Sequence, residues 1–310
     1  MANTQDTTPG SNQVPTRAMV IIHGAGNWSL GYSKPVVESI QGFINSPAAK
    51  QFERIEVNYS DVIMSAAAQA ARATLGQSQT TFMNAMLNEH LQASMNAIGT
   101  DQLLKRMIAQ TPQLIGLATA ALFPGSDIVL NALAQIICGK SLAQLRSDVL
   151  SAITPTIQDV CLYLYATAFE NQFRQRLIDK LHEAQKFDQV ILLSHSLGTV
   201  IAFDVLNAWT EAIPQIPVWF TMGCPLAKVL RLASGRNAEL TKPSLVKRWF
   251  NVYNTHDLVA NPLSPTFFKD GVYDVFCELK DPTKTDPGSA HDYYSNDHAL
   301  KLVAEVIEAF

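Results

Sequence analysis

The chain has 310 residues, 47% hydrophobic and 16% charged, enough apolar material for one large domain or two modest ones. A net charge of −4 without a basic stripe argues against nucleic acid or an anionic membrane surface as an obligatory partner. Cys138, Cys161, Cys224 and Cys277 lie far apart with no C-x-x-C spacing, which reads as buried free thiols rather than disulfides or a zinc site.

Residues 1–16 are polar and rich in Thr, Asn, Gln and Pro, and are expected to form a disordered lead-in. They lack the apolar core of a signal peptide, so the expected residence is cytoplasmic, with export by a route that needs no cleaved signal left open. Order is expected from Arg17. The run Ala18–His23 is continuously apolar and of strand length, suited to a parallel strand covered on both faces. It runs into a glycine-rich loop, His23-Gly24-Ala25-Gly26-Asn27-Trp28. A helix over 34–45 and a strand over Arg54–Tyr59 complete a βαβ unit.

From Ser60 to about Thr154 the composition turns to Ala, Met, Leu and Gln, with breaks at Gly76, Gly99, Pro112, Pro124-Gly125 and Pro155. This stretch is too long for a simple crossover and reads as a helical insertion, a cap or lid. Leu114–Phe123 is apolar all round and Ile128–Cys138 nearly so, yet each falls well short of the ~20 residues that span a bilayer. These helices either bury one another against the main domain or form a cap or lid that shapes an apolar pocket or rests on lipid.

After Pro155 the alternation resumes with helices over Ile157–Ala166 and Glu170–Lys186, where Phe173, Leu177 and Leu181 recur at four-residue spacing. A strand ends at Ser194, a helix follows over Val200–Trp209, and a strand over Val218–Met222 stops at Gly223-Cys224-Pro225. A polar loop, strands over Arg248–Tyr253 and Val272–Leu279, and a closing helix from Asn296 finish the chain. The sum is an α/β fold: a reduced, mostly parallel sheet of about six strands flanked by helices, with the insertion as its one addition.

Val190–Ala202 holds the strongest chemical signal. An apolar strand, a small-residue turn Ser194-His195-Ser196-Leu197-Gly198 and a helix are the context of a nucleophile elbow, with Ser196 at the tip. A serine hydroxyl needs a histidine to take its proton and a carboxylate to orient that histidine. Reactive groups in open parallel sheets lie beyond the carboxyl ends of strands. Asp257 follows one strand directly, and His291 lies in the loop after the last. His298, in the first turn of the closing helix, is the weaker base, and His256 would face away if Asp257 faces inward. His195 is not favoured as the base, because adjacent side chains at a sharp turn diverge. An oxyanion hole needs two backbone N–H groups. Leu197 would give one, and Ala25, with Gly26 next, the other. His23 reads as a residue that holds the loop.

With these residues in hand, the chain resembles the α/β-hydrolase superfamily on its lipase and esterase side. The matching pieces are His23-Gly24-x-Gly26, Ser194-His195-Ser196-Leu197-Gly198, Thr221–Leu226, Asn254-x-x-Asp257-x-Val259 and His291-x-x-Tyr294. The order Ser196, Asp257, His291 is the one that fold shows. Ser194 departs from it by standing where the usual motif has glycine. The resemblance implies a carboxylic ester hydrolase with an acyl-enzyme on Ser196. Gly24, Gly26 and Trp28 would line the substrate, and no metal or organic cofactor would be needed. A small-molecule or lipid ester is the expected partner, with peripheral lipid contact through the insertion left open. Rival readings are a thioesterase or amidase with the same triad, a membrane-active lipase-type toxin, and a non-catalytic binding protein on the same fold.

Overall fold

In the computed structural model, residues 16–82, 156–211, 215–232, 241–257, 259–265, 268–284 and 287–309 are described. Six strands form one sheet in the order β2-β1-β3-β4-β5-β6: β1 (Arg17–Ile22), β2 (Glu53–Val57), β3 (Gln189–His195), β4 (Gln215–Met222), β5 (Val246–Tyr253) and β6 (Val272–Phe276). Every pairing is parallel. The helices are α1 (Ser33–Phe43), α2 (Ser60–Met64), α3 (Ala66–Thr74), α4 (Thr167–Glu183), α5 (Leu197–Ala208), α6 (Leu226–Leu232), α7 (Pro287–Ala290) and α8 (Asp297–Glu308). Residues 76–82 and 156–165 are also helical.

Alternation along the strands divides the core between the two faces. Ala18, Val20 and Ile22 of β1 join Val190 and Leu192 of β3 in a cluster that includes Phe173, Leu177 and Leu181 of α4. Met19 and Ile21 join Ile191 and Leu193 in a second cluster closed by Ile40 of α1 and by Leu300 and Val303 of α8. Side chains two apart share a face, so a sheet covered on both sides reads as an unbroken apolar run. That is why the strands were visible in the sequence.

Several boundaries moved. Thr16 is already anchored: its N–H donates to Asp188 Oδ2 at 2.7 Å, and its carbonyl accepts from Asp188 and Gln189. β1 stops at Ile22, and His23 turns into the loop. β4 begins at Gln215 rather than Val218, with a register irregularity beside Pro217, where a residue lacking an N–H is tolerated. β6 ends at Phe276, although Cys277 N–H still reaches Tyr253 O at 2.8 Å. The expected polar loop after Pro225 is instead opened by α6, which carries a buried lysine, Lys228. A one-turn helix, α7, leads into His291.

Of the stretch expected to form an insertion, α2, α3 and the helical residues 76–82 are described. The apolar segments Leu114–Phe123 and Ile128–Cys138, like residues 1–15, lie outside the described residues. Among the described residues no helix is long and apolar enough to cross a membrane. Cys161, Cys224 and Cys277 are buried free thiols. The chain leaves β1 toward β2 on one side and returns to β3 on the other. The strand order therefore reverses between β1 and β3, and the crevice beyond their carboxyl ends is where such sheets place ligands.

Candidate active site

Ser196 stands alone between the end of β3 and the start of α5. It is the only non-glycine residue with positive φ among the described residues, at φ +50° and ψ −125°. Such a conformation stores about 1–3 kcal/mol of strain and persists only when the surroundings hold it. Here Ser196 N–H donates to Met222 O at 2.9 Å, and Ser196 O accepts from Thr199 N–H at 2.9 Å. The turn drives the start of α5 against the end of β1, where a Cβ on Gly198 would lie 3.0 Å from the Ile22 carbonyl oxygen. Ser194 has partners of its own: its Oγ accepts from Trp219 Nε1–H at 2.9 Å and lies 3.3 Å from both Phe220 O and Thr199 Oγ1. The Ser194 hydroxyl thus anchors a core tryptophan.

Asp257 is fully buried in a turn off β5, its N–H donating to Asn254 O at 3.2 Å. Its Oδ1 accepts from Val259 N–H at 2.8 Å, and its Oδ2 is 2.8 Å from His291 Nδ1. Burial by itself would push the Asp257 pKa up. The His291 ring, the Val259 N–H and the Lys228 ammonium outweigh it, and the carboxyl lies below its ordinary value. This bond puts the His291 proton on Nδ1 and leaves Nε2 as an acceptor. His291 Nε2 and Ser196 Oγ are both buried and, among the described residues, both without a hydrogen-bond partner.

The two side chains meet the same end of β4. Ser196 is tied to Met222, and His291 fills the space over Gly223, where a Cβ would sit 2.7 Å from His291 Cε1. Gly223 has φ +60° and no side chain, and both are needed. The structure thus gathers Ser196, Asp257 and His291 beyond β3, β4 and β5.

Neither the family models nor the curated proteins match this chain. What the site can do therefore rests on its own geometry.

The other histidines separate cleanly. His256 and His298 are exposed. His195 is buried, and its ring does not diverge from the site as expected. It lies 4.7 Å from the His291 ring, centroid to centroid, with Nε2 2.9 Å from His291 O. A carbonyl partner makes Nε2 the donor, so Nδ1 is bare, and it has no partner among the described residues. Burial and then the neighbouring His291 lower the His195 pKa to about 3. His195 holds the backbone of His291, a role the sequence did not suggest.

His23 holds the β1 loop. Its Nδ1–H donates to Gly24 O at 2.6 Å, and its Nε2 accepts from Tyr59 N–H at 3.2 Å. Burial lowers its pKa to about 4. Trp28 N–H donates to Ser60 Oγ at 2.8 Å and Trp28 Nε1–H to Ala25 O at 3.0 Å. The Trp28 ring stacks on His23 and meets His195 and Tyr294 edge-on. Gly24 is buried against the elbow, a Cβ there lying 2.8 Å from both Ser196 Cβ and His195 Nδ1.

Gly26, the second choice for the other N–H, is already engaged, its N–H donating to Asp159 Oδ2 at 2.8 Å. Among the described residues no group accepts from the Ala25 N–H. Leu197 opens α5, where first-turn N–H groups lack intrahelical partners, and Ser196 makes no side-chain cap. No three His, Cys, Asp or Glu side chains among the described residues are grouped as metal ligands.

Proposed function

We propose that the chain is an α/β-hydrolase-type serine hydrolase that cleaves carboxylic esters through an acyl-enzyme on Ser196. The observation that carries this reading is the pair of buried, unpartnered atoms, Ser196 Oγ and His291 Nε2. Buried polar atoms are nearly always bonded, and a catalytic role is one of the reasons an exception persists. That one of the two sits on a strained residue and the other on a ring oriented by a buried carboxylate strengthens it.

In this reading Ser196 Oγ attacks the ester carbonyl and His291 Nε2 takes its proton. Asp257 accepts from Nδ1–H and stabilises the imidazolium that forms. The Leu197 and Ala25 N–H groups receive the developing oxyanion. The tetrahedral intermediate collapses, His291 protonates the departing alcohol, and water, activated by His291, releases the acid. The apolar character of Leu114–Phe123 and Ile128–Cys138 favours a substrate with an acyl or other hydrophobic part.

A fluorophosphonate should label Ser196 stoichiometrically, and Ser196→Ala should abolish both labelling and p-nitrophenyl ester turnover in a folded protein. An unlabelled wild type would overturn the assignment. A panel of matched esters, thioesters and amides ranks the leaving group, and a chain-length series ranks the acyl part. Vesicle binding that survives Ser196→Ala would move the reading toward the membrane-active alternative.

A further inference from the structure

The peptide groups on either side of Ala25 are fixed from four directions. Gly24 O accepts from His23 Nδ1–H at 2.6 Å and from Tyr59 OH at 2.7 Å. Ala25 O accepts from Trp28 Nε1–H at 3.0 Å, and Gly26 N–H donates to Asp159 Oδ2 at 2.8 Å. A peptide is planar and trans, so its N–H points opposite to its C=O. Holding Gly24 O therefore aims the Ala25 N–H, the one polar group of these two peptides that no described residue engages. The second plane turns about Gly26, at φ +97°, a conformation that glycine adopts without a steric bias of its own.

Three of these pins come from the loop itself or from the adjacent end of β2. The fourth comes from the helix over 156–165, which follows the expected insertion. Asp159 lies in the helix over 156–165 and is almost completely buried. Burial raises its pKa, against the pull of Arg72 and the Gly26 N–H. Its other oxygen, Oδ1, pairs with an Arg72 Nη nitrogen from α3, on the opening side of the insertion. A buried carboxylate survives only when paired and hydrogen-bonded. Gln79 Nε2–H in turn bonds Arg72 O at 3.1 Å. One oxygen of Asp159 is thus directed at the loop beside the oxyanion donor.

We infer that Asp159, braced by Arg72, is a positioning residue for the oxyanion loop: it holds the Gly26 N–H so that the Ala25 N–H faces the reacting carbonyl. This rests on the serine-hydrolase reading above. It joins α3 and the helix over 156–165 to the electrostatics of the proposed reaction without placing either side chain on the substrate.

The test uses the full chain with Asp159→Ala, Asp159→Asn and Arg72→Gln. The readouts are kcat and KM on a p-nitrophenyl ester, and the affinity of an alkyl boronic acid, which becomes tetrahedral on Ser196. Losing one oxyanion donor outright lowers kcat by about 10²–10³-fold. A donor left in place but unpinned should cost less, so Asp159→Ala should lower kcat by about 10–100-fold and weaken the boronate by a comparable factor, with KM within about threefold. Asp159→Asn keeps an acceptor for Gly26 N–H and should recover most of this loss. Arg72→Gln should lower both readouts about 3–10-fold, and it carries the test should Asp159→Ala not fold. Folded variants with wild-type kcat and boronate affinity would overturn the inference. So would Ala and Asn variants that lose stability equally while boronate affinity holds. A wild type that fluorophosphonate fails to label would instead remove the hydrolase reading itself, and the inference with it.

Discussion

Gly223→Ala is the sharpest single probe of the site, because it adds one methyl group beside His291 and touches neither Ser196 nor Asp257. The added Cβ would lie 2.7 Å from His291 Cε1, 2.9 Å from His291 Nδ1 and 2.9 Å from Tyr293 Cε2. Carbon atoms rest at about 3.5–4.0 Å, so the imidazole is displaced by about 0.8 Å or more. It has little room to yield. His195 lies on one side, with its Nε2 on the His291 carbonyl, and Tyr293, whose Oη accepts from Asn254 N–H at 2.9 Å, lies on another. A misplacement near 1 Å in a catalytic group costs on the order of 10²-fold in rate. The variant should therefore lose about 10²-fold in kcat on a p-nitrophenyl ester, with KM nearly unchanged and slower fluorophosphonate labelling. Overpacking adds a stability loss of about 1–3 kcal/mol, and a side chain at φ +60° about 1–2 kcal/mol more. Steady-state kinetics on folded protein, checked by near-ultraviolet circular dichroism, decide it. Wild-type kcat in a folded Gly223→Ala protein would show that the His291 ring position does not control turnover, and the base assignment would fall.

Three further outcomes are expected. Ser196→Gly and Ser196→Ala should both abolish turnover, but the glycine variant should be the more stable by about 1 kcal/mol. Relief of about 1–3 kcal/mol of strain exceeds the roughly 0.5–1 kcal/mol entropic cost of glycine, and equal urea midpoints would refute the strain at φ +50°. Ser194→Ala leaves the Trp219 Nε1–H without its acceptor and should cost about 1–3 kcal/mol, most of which disappears in a double variant with Trp219→Phe. His23 and His195, lowered to about 4 and about 3, are neutral in the folded protein at pH values where the unfolded chain, near 6.5, is protonated. Because the unfolded state binds more protons in that window, stability is retained above pH 6.5 and lost as pH falls toward 4, by ~2 kcal/mol per ring between pH 7 and pH 5. Denaturation midpoints that stay flat over that range would sink the reading of both rings as neutral.

The sheet was legible because each parallel strand is buried on both faces and so appears as an uninterrupted apolar run, Met19 through Ile22 and Ile191 through Leu193 being the clearest. Ser196, Asp257 and His291 were legible for a related reason: each follows a strand, and strand ends converge in such a sheet. What the sequence hid depends on contacts between residues far apart in the chain. α6 escaped notice because its seven residues include two charged ones, Lys228 and Arg231, and Lys228 is nonetheless buried, its Nζ 3.4 Å from Ala260 O. Composition assigns a lysine to solvent, and only the fold places one behind a carboxylate. Gly26 looked free because nothing in the glycine-rich loop itself reveals an acceptor 133 residues away.

These hidden contacts share a physical logic. The atoms that the proposed reaction uses, Ser196 Oγ, His291 Nε2 and the Ala25 N–H, have no described partner, whereas most groups next to them are bonded, the bare His195 Nδ1 being the exception. Ser194 is bonded to Trp219, His291 Nδ1 to Asp257, the His291 carbonyl to His195, and Gly26 N–H to Asp159. Neighbours that moved freely would have to reorganise as charge developed, and fixed dipoles avoid that cost. In the proposed reaction the residues adjacent to Ser196, His291 and Ala25 would share in setting the barrier by holding those groups in place. The imperfect motif at Ser194 fits the same pattern, because a glycine there would free Trp219 directly beneath the elbow.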